Sequence, residues 1–315
     1  MRIAVPAQLR GFLTISIVRA ESLPASRAAI SAIFVMMRPR QWIKNAFVMA
    51  PLFFTPPAFS VRHIESVVAG IVSFCALASA IYILNDYIDR EADRKHPEKQ
   101  FRPLAAGTLS TRFALTLMGI LLASGFAIAL STSLEFTWIA AGYVALNLAY
   151  SFGLKDVAIL DVLIIALGFT LRVQAGAILI DIAPSAWIVI TTGLLALFLA
   201  LAKRRDDLAR NLGGDHRKSL NGYTLAYLDV AATIMLGALL VAYMIYTTDA
   251  NVMKELHTEK IYYTTPFVVA GILRYLQIAL VEKGSGSPTD VVLSDRFLIA
   301  TILGWAITFG VLIHG

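Results

Sequence analysis

Long uncharged apolar runs are the feature of this 315-residue sequence that most restricts its fold. A helix that crosses a bilayer needs about 20 predominantly apolar residues. Only 15% of the residues are charged, against about 25% in soluble domains, which excludes a water-soluble globule. The sequence therefore predicts an all-α, polytopic membrane protein of about nine transmembrane helices. The predicted spans are 43–60, 64–85, 113–131, 136–152, 160–180, 185–202, 223–247, 263–281 and 297–314.

The basic residues are distributed unequally between the two sides of the predicted spans. If residues 1–44 are cytoplasmic, the inner connections hold 22 Lys and Arg residues and the outer ones hold three. Positive residues collect on the cytoplasmic side of membrane proteins. We therefore expect a multi-pass protein of the inner (plasma) membrane, with its N-terminus in the cytosol and its C-terminus outside.

The sequence is expected to form one integral membrane domain behind a short arm. Residues 1–35 contain an apolar run at 11–18 that is too short to span, so the arm is predicted to be cytosolic and in part disordered or interfacial. Residues 36–315 form the membrane domain. Its first predicted span, 43–60, is interrupted by three prolines, which membrane helices tolerate where neighbours shelter the backbone.

An acidic cluster follows the second predicted span. Asp89 follows Asp86 at i+3 and Asp93 follows Asp89 at i+4, so a helix would place them on one face, with Asn85 beside them. Hard oxygen ligands favour Mg²⁺, which pairs carboxylates with substrate phosphates. The alternative is a solvated helix end. The position directly after a deep apolar helix favours a magnesium site.

Basic residues follow the acids directly in the sequence. Arg94, Lys99 and Arg102 lie within nine residues of Asp93. Arg and Lys side chains bind phosphate oxygens directly. Acids for a metal followed by bases for phosphate are the components of a diphosphate site.

These residues resemble the first signature of the UbiA superfamily of intramembrane prenyltransferases. The pattern is Asn-Asp-x-x-Asp-x-x-x-Asp from Asn85, followed by Phe-Arg-Pro-Leu-Ala-Ala-Gly at 101–107. The likeness extends to the segments 38–45 and 150–155 and covers about 36–313. It implies a UbiA-like bundle of nine helices, with the active-site mouth on the cytosolic side and residues 36–315 as the catalytic domain.

The connection after the sixth span departs from the ordinary family pattern. Family members carry a second Asp-x-x-x-Asp motif there, whereas residues 202–208 read Ala-Lys-Arg-Arg-Asp-Asp-Leu. That sequence, with Gly-Phe-x-x-Arg at 168–172, resembles the decaprenyl-phosphate phosphoribosyltransferase branch. The resemblance implies transfer of 5-phosphoribose from phosphoribosyl diphosphate to a polyprenyl phosphate, in the synthesis of a lipid-linked arabinose precursor.

The resemblance and the charge pattern together suggest roles for particular residues. Asp86, Asp89 and Lys203 are the candidate catalytic residues, and Asp86, Asp89 and Asp93 are the candidate Mg²⁺ ligands. The nucleophile, a phosphate oxygen, is already ionised, so no strong general base is needed. The candidate substrate-binding residues are Arg38, Lys44, Asn85, Arg94, Lys99, Arg102, Tyr150, Lys155, Asp161, Arg172, Arg204, Asp206 and Asp207.

Several of these candidates have a structural alternative. Arg38 and Lys44 could extend to anionic lipid headgroups, and Tyr150 could be an aromatic residue of the membrane interface. Asp161 and Arg172 are three helical turns apart on one face, so a structural ion-pair network between them and a role in substrate binding both stay open.

Two other functions compete with phosphoribosyl transfer. An ordinary prenyltransferase would use an isoprenyl diphosphate and an aromatic acceptor. A transporter would place acids near the bilayer midplane, whereas the acids here collect at one boundary. The expected partners are a polyprenyl phosphate, phosphoribosyl diphosphate and the bilayer, without nucleic acid, and self-association is left open.

Overall fold

The computed structural model describes residues 25–96, 99–210, 218–282 and 288–314. The regular secondary structure of these residues is entirely helical, which confirms the predicted fold class. We number the α-helices α1 Ala25–Met37, α2 Ala50–Phe54, α3 Val61–Ile88, α4 Arg90–Lys95, α5 Thr111–Thr132, α6 Leu134–Ser151, α7 Leu160–Leu179, α8 Ala186–Ala209, α9 Leu225–Thr248, α10 Ala250–Glu255, α11 Thr265–Leu276, α12 Pro288–Ser294 and α13 Arg296–His314.

Seven helical stretches of the described residues are long and apolar enough to cross a membrane. They are α3, α5, α7, α8, α9, α13 and the stretch Ile261–Val281 that contains α11. Helix α6 lies where a span was predicted but is not among the seven. The predicted count of nine is therefore approximate, and the chain is a multi-pass membrane protein.

The proline-interrupted segment 43–60 is not one helix. It begins with a 3-10 helix, Pro39–Met49, continues through the short helix α2 and ends in a 3-10 turn at Pro56–Ala58. Pro51 lies in the first turn of α2, where its missing N–H would have no intrahelical partner. The prolines thus divide the predicted span into three short pieces.

Helix α8 continues beyond its predicted end at residue 202. Lys203 to Asp207, which we expected in a connecting loop, lie on its last two turns. Lys203 pairs with Asp207, and Asp206 pairs with Arg210, each at i, i+4. Such pairs support a helix surface, so the charged segment prolongs the helix instead of ending it.

The predicted N-terminal arm is partly helical. Residues 1–24 lie outside the described residues, and helix α1 occupies the rest of the expected arm. Arg38 follows it with a left-handed φ of 54°, the conformation that commonly ends a helix, and Pro39 cannot continue one.

The described residues form two compact units. The first contains the residues up to Trp42 together with Ala78–Leu122. The second contains Ile43–Leu77 and the residues from Ala123 onward. In the second unit α7, α8 and α9 pack side by side, around a core that includes Phe198, Leu228 and Ile278.

Candidate active site

The acidic cluster lies at the end of α3 and the start of α4, in the first unit. Asp86 and Asp93 are buried, and the Nη1 of Arg102 bonds to Oδ1 of Asp86 at 3.1 Å and to Oδ2 of Asp93 at 2.7 Å. Arg38 donates a second charge-assisted bond to Asp86, and its guanidinium lies 4.9 Å from the ring centroid of Tyr82. Two predicted acids and two predicted bases therefore meet at one point.

Asn85, which precedes Asp86 in the chain, has a side-chain oxygen left unsatisfied by the described residues. Its Oδ1 atom is buried and has no hydrogen-bond partner in the described part of the chain. In the same described residues, no three His, Cys, Asp or Glu side chains converge closely enough to hold a metal ion. The donor set of carboxylates and one unsatisfied amide oxygen fits a hard cation. The arginine pairs of Asp86 and Asp93 would have to open to admit one.

The predicted phosphate-binding bases, on α4 and in the connection to α5, have different hydrogen-bond partners. Arg94 donates to both carboxylate oxygens of Glu91 at 3.0 Å and to the carbonyl of Ala105. Hydrogen bonds from Arg90 and Arg94 lower the pKa of the Glu91 carboxyl. The backbone N–H of Lys99 donates to the His96 ring. Arg102 contacts the acidic cluster, whereas Arg94 pairs with Glu91 outside it.

Charges of both signs occupy the end of α8, in the second unit. Lys203 Nζ lies 2.7 Å from Asp207 and 3.4 Å from Asp206, and Arg210 Nε lies 2.9 Å from Asp206. Arg205 pairs with Asp229 of α9. Each base is matched by an acid, so this helix end is locally neutral. The Lys203 side chain, 38% exposed, is accessible to a ligand.

Asp161, at the start of α7, is the centre of a buried network. It accepts hydrogen bonds from Nε of Arg204 at 2.5 Å, from the hydroxyl of Ser219 at 3.0 Å and from the hydroxyl of Tyr223 at 2.6 Å. Burial and the bond to Asp161 raise the pKa of Tyr223, which therefore remains a neutral donor. Asp161 and Arg204 satisfy each other inside the protein, which makes a structural role the better supported one for both.

The ion-pair network between Asp161 and Arg172, one of the two alternatives left open by the sequence, is not formed. Arg172 is buried, and its Nε donates to Oδ1 of Asn45 at 2.8 Å, with further bonds to the Gly168 carbonyl and the Tyr143 hydroxyl. The spacing on one helix face was correct, but each charge finds a nearer partner on another element.

The remaining predicted lipid-phosphate residues lie at helix boundaries. Lys44 is half-buried on the 3-10 helix, and Lys155 is half-buried on a short 3-10 turn, Leu154–Asp156. The Tyr150 hydroxyl, at the end of α6, lies 3.4 Å from Nη2 of Arg204. Tyr150 is therefore tied to the Asp161 network.

Sequence reasoning missed the partners that hold these charges. Tyr223, Ser219 and Asp229 received no site role, and no local pattern distinguishes them. Asn45 stood within the segment 38–45 that carries the family resemblance, which was the available signal.

The comparison with known families decides the assignment. Residues 46–302 match the model of the UbiA prenyltransferase family. The chain belongs to the UbiA prenyltransferase family. Membership and the named relatives make it a transferase, which removes the transporter interpretation.

Two relatives within the UbiA family carry the same name. A decaprenyl-phosphate phosphoribosyltransferase of Mycolicibacterium smegmatis is 36% identical over 299 residues, which cover 90% of this chain and 93% of the relative. One of Corynebacterium glutamicum is 36% identical over 283 residues, covering 85% and 82%. These matches confirm the predicted resemblance to that branch.

A solved structure shares the fold. The UbiA homolog from Archaeoglobus fulgidus bound to DMAPP and Mg²⁺ aligns with a TM-score of 0.67 over 89% of this chain and 99% of its own. Sequence identity is 19%, so this likeness concerns the fold alone.

Proposed function

We propose that this protein transfers 5-phosphoribose from phosphoribosyl diphosphate to a polyprenyl phosphate, releasing diphosphate in a Mg²⁺-dependent reaction. A phosphate oxygen of the lipid forms the new bond to C1 of the ribose. The bond from C1 to the diphosphate breaks, and its electron pair leaves with the diphosphate. The product would serve as a precursor of lipid-linked arabinose.

The observation that carries the proposal is the end of α8. Ordinary family members have an acid-only motif in this region, whereas here Lys203, Arg205 and Arg210 each pair with an acid. A ligand phosphate that displaces Asp207 from Lys203 replaces one anion by another at the ammonium group, and Asp207 keeps Nη1 of Arg204 at 3.6 Å. A phosphorylated sugar donor, with more anionic oxygens than an isoprenyl diphosphate, suits such a site.

Asp86, Asp89 and Asp93, with the Asn85 amide oxygen, would hold Mg²⁺. When bound, the cation neutralises charge on the departing diphosphate. Arg38 and Arg102 would exchange their bonds to the acids for bonds to diphosphate oxygens. Each guanidinium would then still pair with an anionic oxygen.

The proposal includes an orientation in the membrane. Most bases of the chain lie on the connections that we assign to the cytosol, where a water-soluble sugar diphosphate is available. The N-terminus and the acidic cluster would face the cytosol of an inner membrane, and the C-terminus would lie outside. A protease or cysteine-labelling map of the termini tests the orientation.

Purified protein assayed with different donors tests the reaction. We expect phosphoribosyl transfer to a polyprenyl phosphate, and no prenylation of an aromatic acceptor by an isoprenyl diphosphate. The reverse result would establish an ordinary prenyltransferase. Asp89→Ala should lower magnesium-dependent turnover roughly 100-fold, whereas Glu91→Ala, a control at an exposed acid of the same region, should not.

Lys203→Ala tests the end of α8. We expect it to raise the KM for phosphoribosyl diphosphate roughly 10-fold while the KM for the lipid changes little. Lys218→Ala removes the same charge from an exposed position and is the matched control. Equal effects of both variants on both substrates would remove Lys203 from the donor site.

A further inference from the structure

The 3-10 helix Pro39–Met49 is 11 residues long, whereas most such helices end after 3 or 4 residues. Because side chains at i and i+3 eclipse each other, this helix has three faces. The exposure of the side chains differs between the three faces: one face packs inward, one is exposed and one is half-buried. The inward face holds the buried Asn45 and Val48, the exposed face holds Ile43, Ala46 and Met49, and the half-buried face holds Gln41, Lys44 and Phe47.

Helix α7 anchors the inward face. Asn45 is fully buried, accepts the 2.8 Å bond from Arg172 and donates a 3.2 Å bond to the sulfur of Cys75. One turn beyond Arg172, a Cβ added to Gly176 would lie 2.0 Å from the carbonyl oxygen of Val48. The backbones therefore touch, and the rotation of the 3-10 helix is determined by α7.

Arg172, which binds the 3-10 helix through Asn45, is a charged residue within a candidate membrane span. A charged group within a membrane span is costly and commonly serves a function. Its hydrogen-bond partners are the neutral groups of Asn45, Gly168 and Tyr143, and the rings of Phe74, Tyr143 and Phe169 surround its guanidinium within 5.7 Å. No acid of the described residues pairs with Arg172, so the neutralisation of an acid does not explain why a charged residue lies here.

The half-buried face carries a cation, Lys44, and one turn further Phe47, which lines a cavity. Lys44 and Phe47 are one turn apart, about 6 Å along the axis. Phe47 packs edge-on against Phe169, with 5.0 Å between ring centroids, and lines a cavity of about 510 Å³. Pockets of this size with aromatic walls hold apolar ligands. The other aromatic residues of the cavity wall are Phe54, Trp187, Tyr243, Tyr246 and Trp305.

We propose that Arg172 and Asn45 are positioning residues that set the rotation of the 3-10 helix, so that Lys44 and Phe47 form one subsite for a polyprenyl phosphate. Lys44 contacts the phosphate, and Phe47 directs the isoprenoid chain into the cavity. A cation beside an apolar cavity is complementary to an anionic headgroup on a hydrocarbon chain. The inference rests on the proposed function, from which it takes the identity of the lipid.

Protection of introduced cysteines from a thiol reagent by bound lipid reports which face of the 3-10 helix the lipid covers. Cys75 is the one cysteine of the sequence, and Cys75→Ala keeps the bond between Arg172 and Asn45. In that background, a polyprenyl phosphate should slow the reaction of Phe47→Cys with N-ethylmaleimide at least 5-fold. Ala46→Cys, on the neighbouring face, should react equally with and without lipid. Adding Asn45→Ala should abolish the difference.

Steady-state kinetics distinguish a positioning role of Asn45 from a general loss of folding. We expect Asn45→Ala to raise the KM for the lipid roughly 10-fold, as loss of a bond to a charged group implies, with the KM for phosphoribosyl diphosphate changed less than twofold. Asn45→Asp, which can still accept from Arg172, should restore the lipid KM and keeps the test valid if the alanine variant does not fold.

The outcomes distinguish this inference from the proposed function. Equal protection at Phe47→Cys and Ala46→Cys, or an Asn45→Ala variant with unchanged lipid KM, would overturn the inference in a protein that transfers phosphoribose. Protection at Phe47→Cys alone, in a wild-type protein that transfers no phosphoribose, would support the subsite and refute the proposed reaction.

Discussion

Replacing Asp161 by asparagine removes the negative charge from an ion pair whose two side chains are 0% and 2% exposed. Arg204 would then be a buried cation with a lost partner. Removal of one member of a buried pair typically costs about 3–5 kcal/mol. Because Asp207 lies 3.6 Å from Nη1 of Arg204 and compensates part of the charge, we expect about 3 kcal/mol.

A double-mutant cycle isolates the interaction. Arg204→Gln alone leaves the Asp161 carboxylate buried with bonds from Ser219 and Tyr223, and should cost a similar amount. Asp161→Asn with Arg204→Gln buries two neutral amides. The double variant should therefore lose less than the sum of the single losses, by about 1–3 kcal/mol.

Thermal unfolding in detergent micelles provides the measurement. At about 2 °C per kcal/mol for a chain of this size, Asp161→Asn should lower the melting temperature by about 6 °C. Asp229→Asn is the matched control, because its pair with Arg205 is 34% and 15% exposed and should contribute about 1 kcal/mol or less. Additive losses across the cycle, or equal effects of the two asparagine variants, would refute the assignment of a buried structural pair.

Three further changes follow from single contacts. Gly176→Ala should lower the melting temperature and raise the lipid KM, because the new Cβ would collide with the 3-10 helix, whereas Gly237→Ala meets no atom within 4 Å and should be neutral or stabilising in the same assays. Tyr223→Phe removes a donor to a buried carboxylate and should cost about 1–3 kcal/mol by thermal unfolding. Arg274 lowers the pKa of Asp295, so their bond stabilises the fold above about pH 4 and is lost as the pH falls through the lowered pKa. Asp295→Asn should therefore be less stable than wild type at pH 7, with a deficit that shrinks in thermal melts toward pH 3.

Much of the architecture could be predicted from the sequence because it depends on local composition. The helices α3, α5, α7 and α9 begin and end within a few residues of the predicted spans. The segment 43–60 was recognised as irregular from its prolines. Helix α8 was predicted too short, because charge was taken as the end of the helix while pairing at i, i+4 extended it.

For the candidate site too, some features could be predicted from the sequence and others could not. The spacing predicted Asp86, Asp89 and Asp93 on one face of a single helix, whereas a break at Asp89 places Asp86 on α3 and Asp93 on α4, where Arg102 joins them. The pairing of Arg172 could not be predicted. Its partner Asn45 lies 127 residues away in the chain, and no local pattern links them.

The sequence by itself determined the membrane fold, the UbiA resemblance and the residue types of a diphosphate site. These depend on hydrophobicity and on spacings within one or two helical turns, which chain geometry sets. Only the tertiary structure decided that Asp161 pairs with Arg204 and that Arg172 holds Asn45. A buried charge takes the partner that helix packing brings within hydrogen-bond distance, and packing depends on the whole chain.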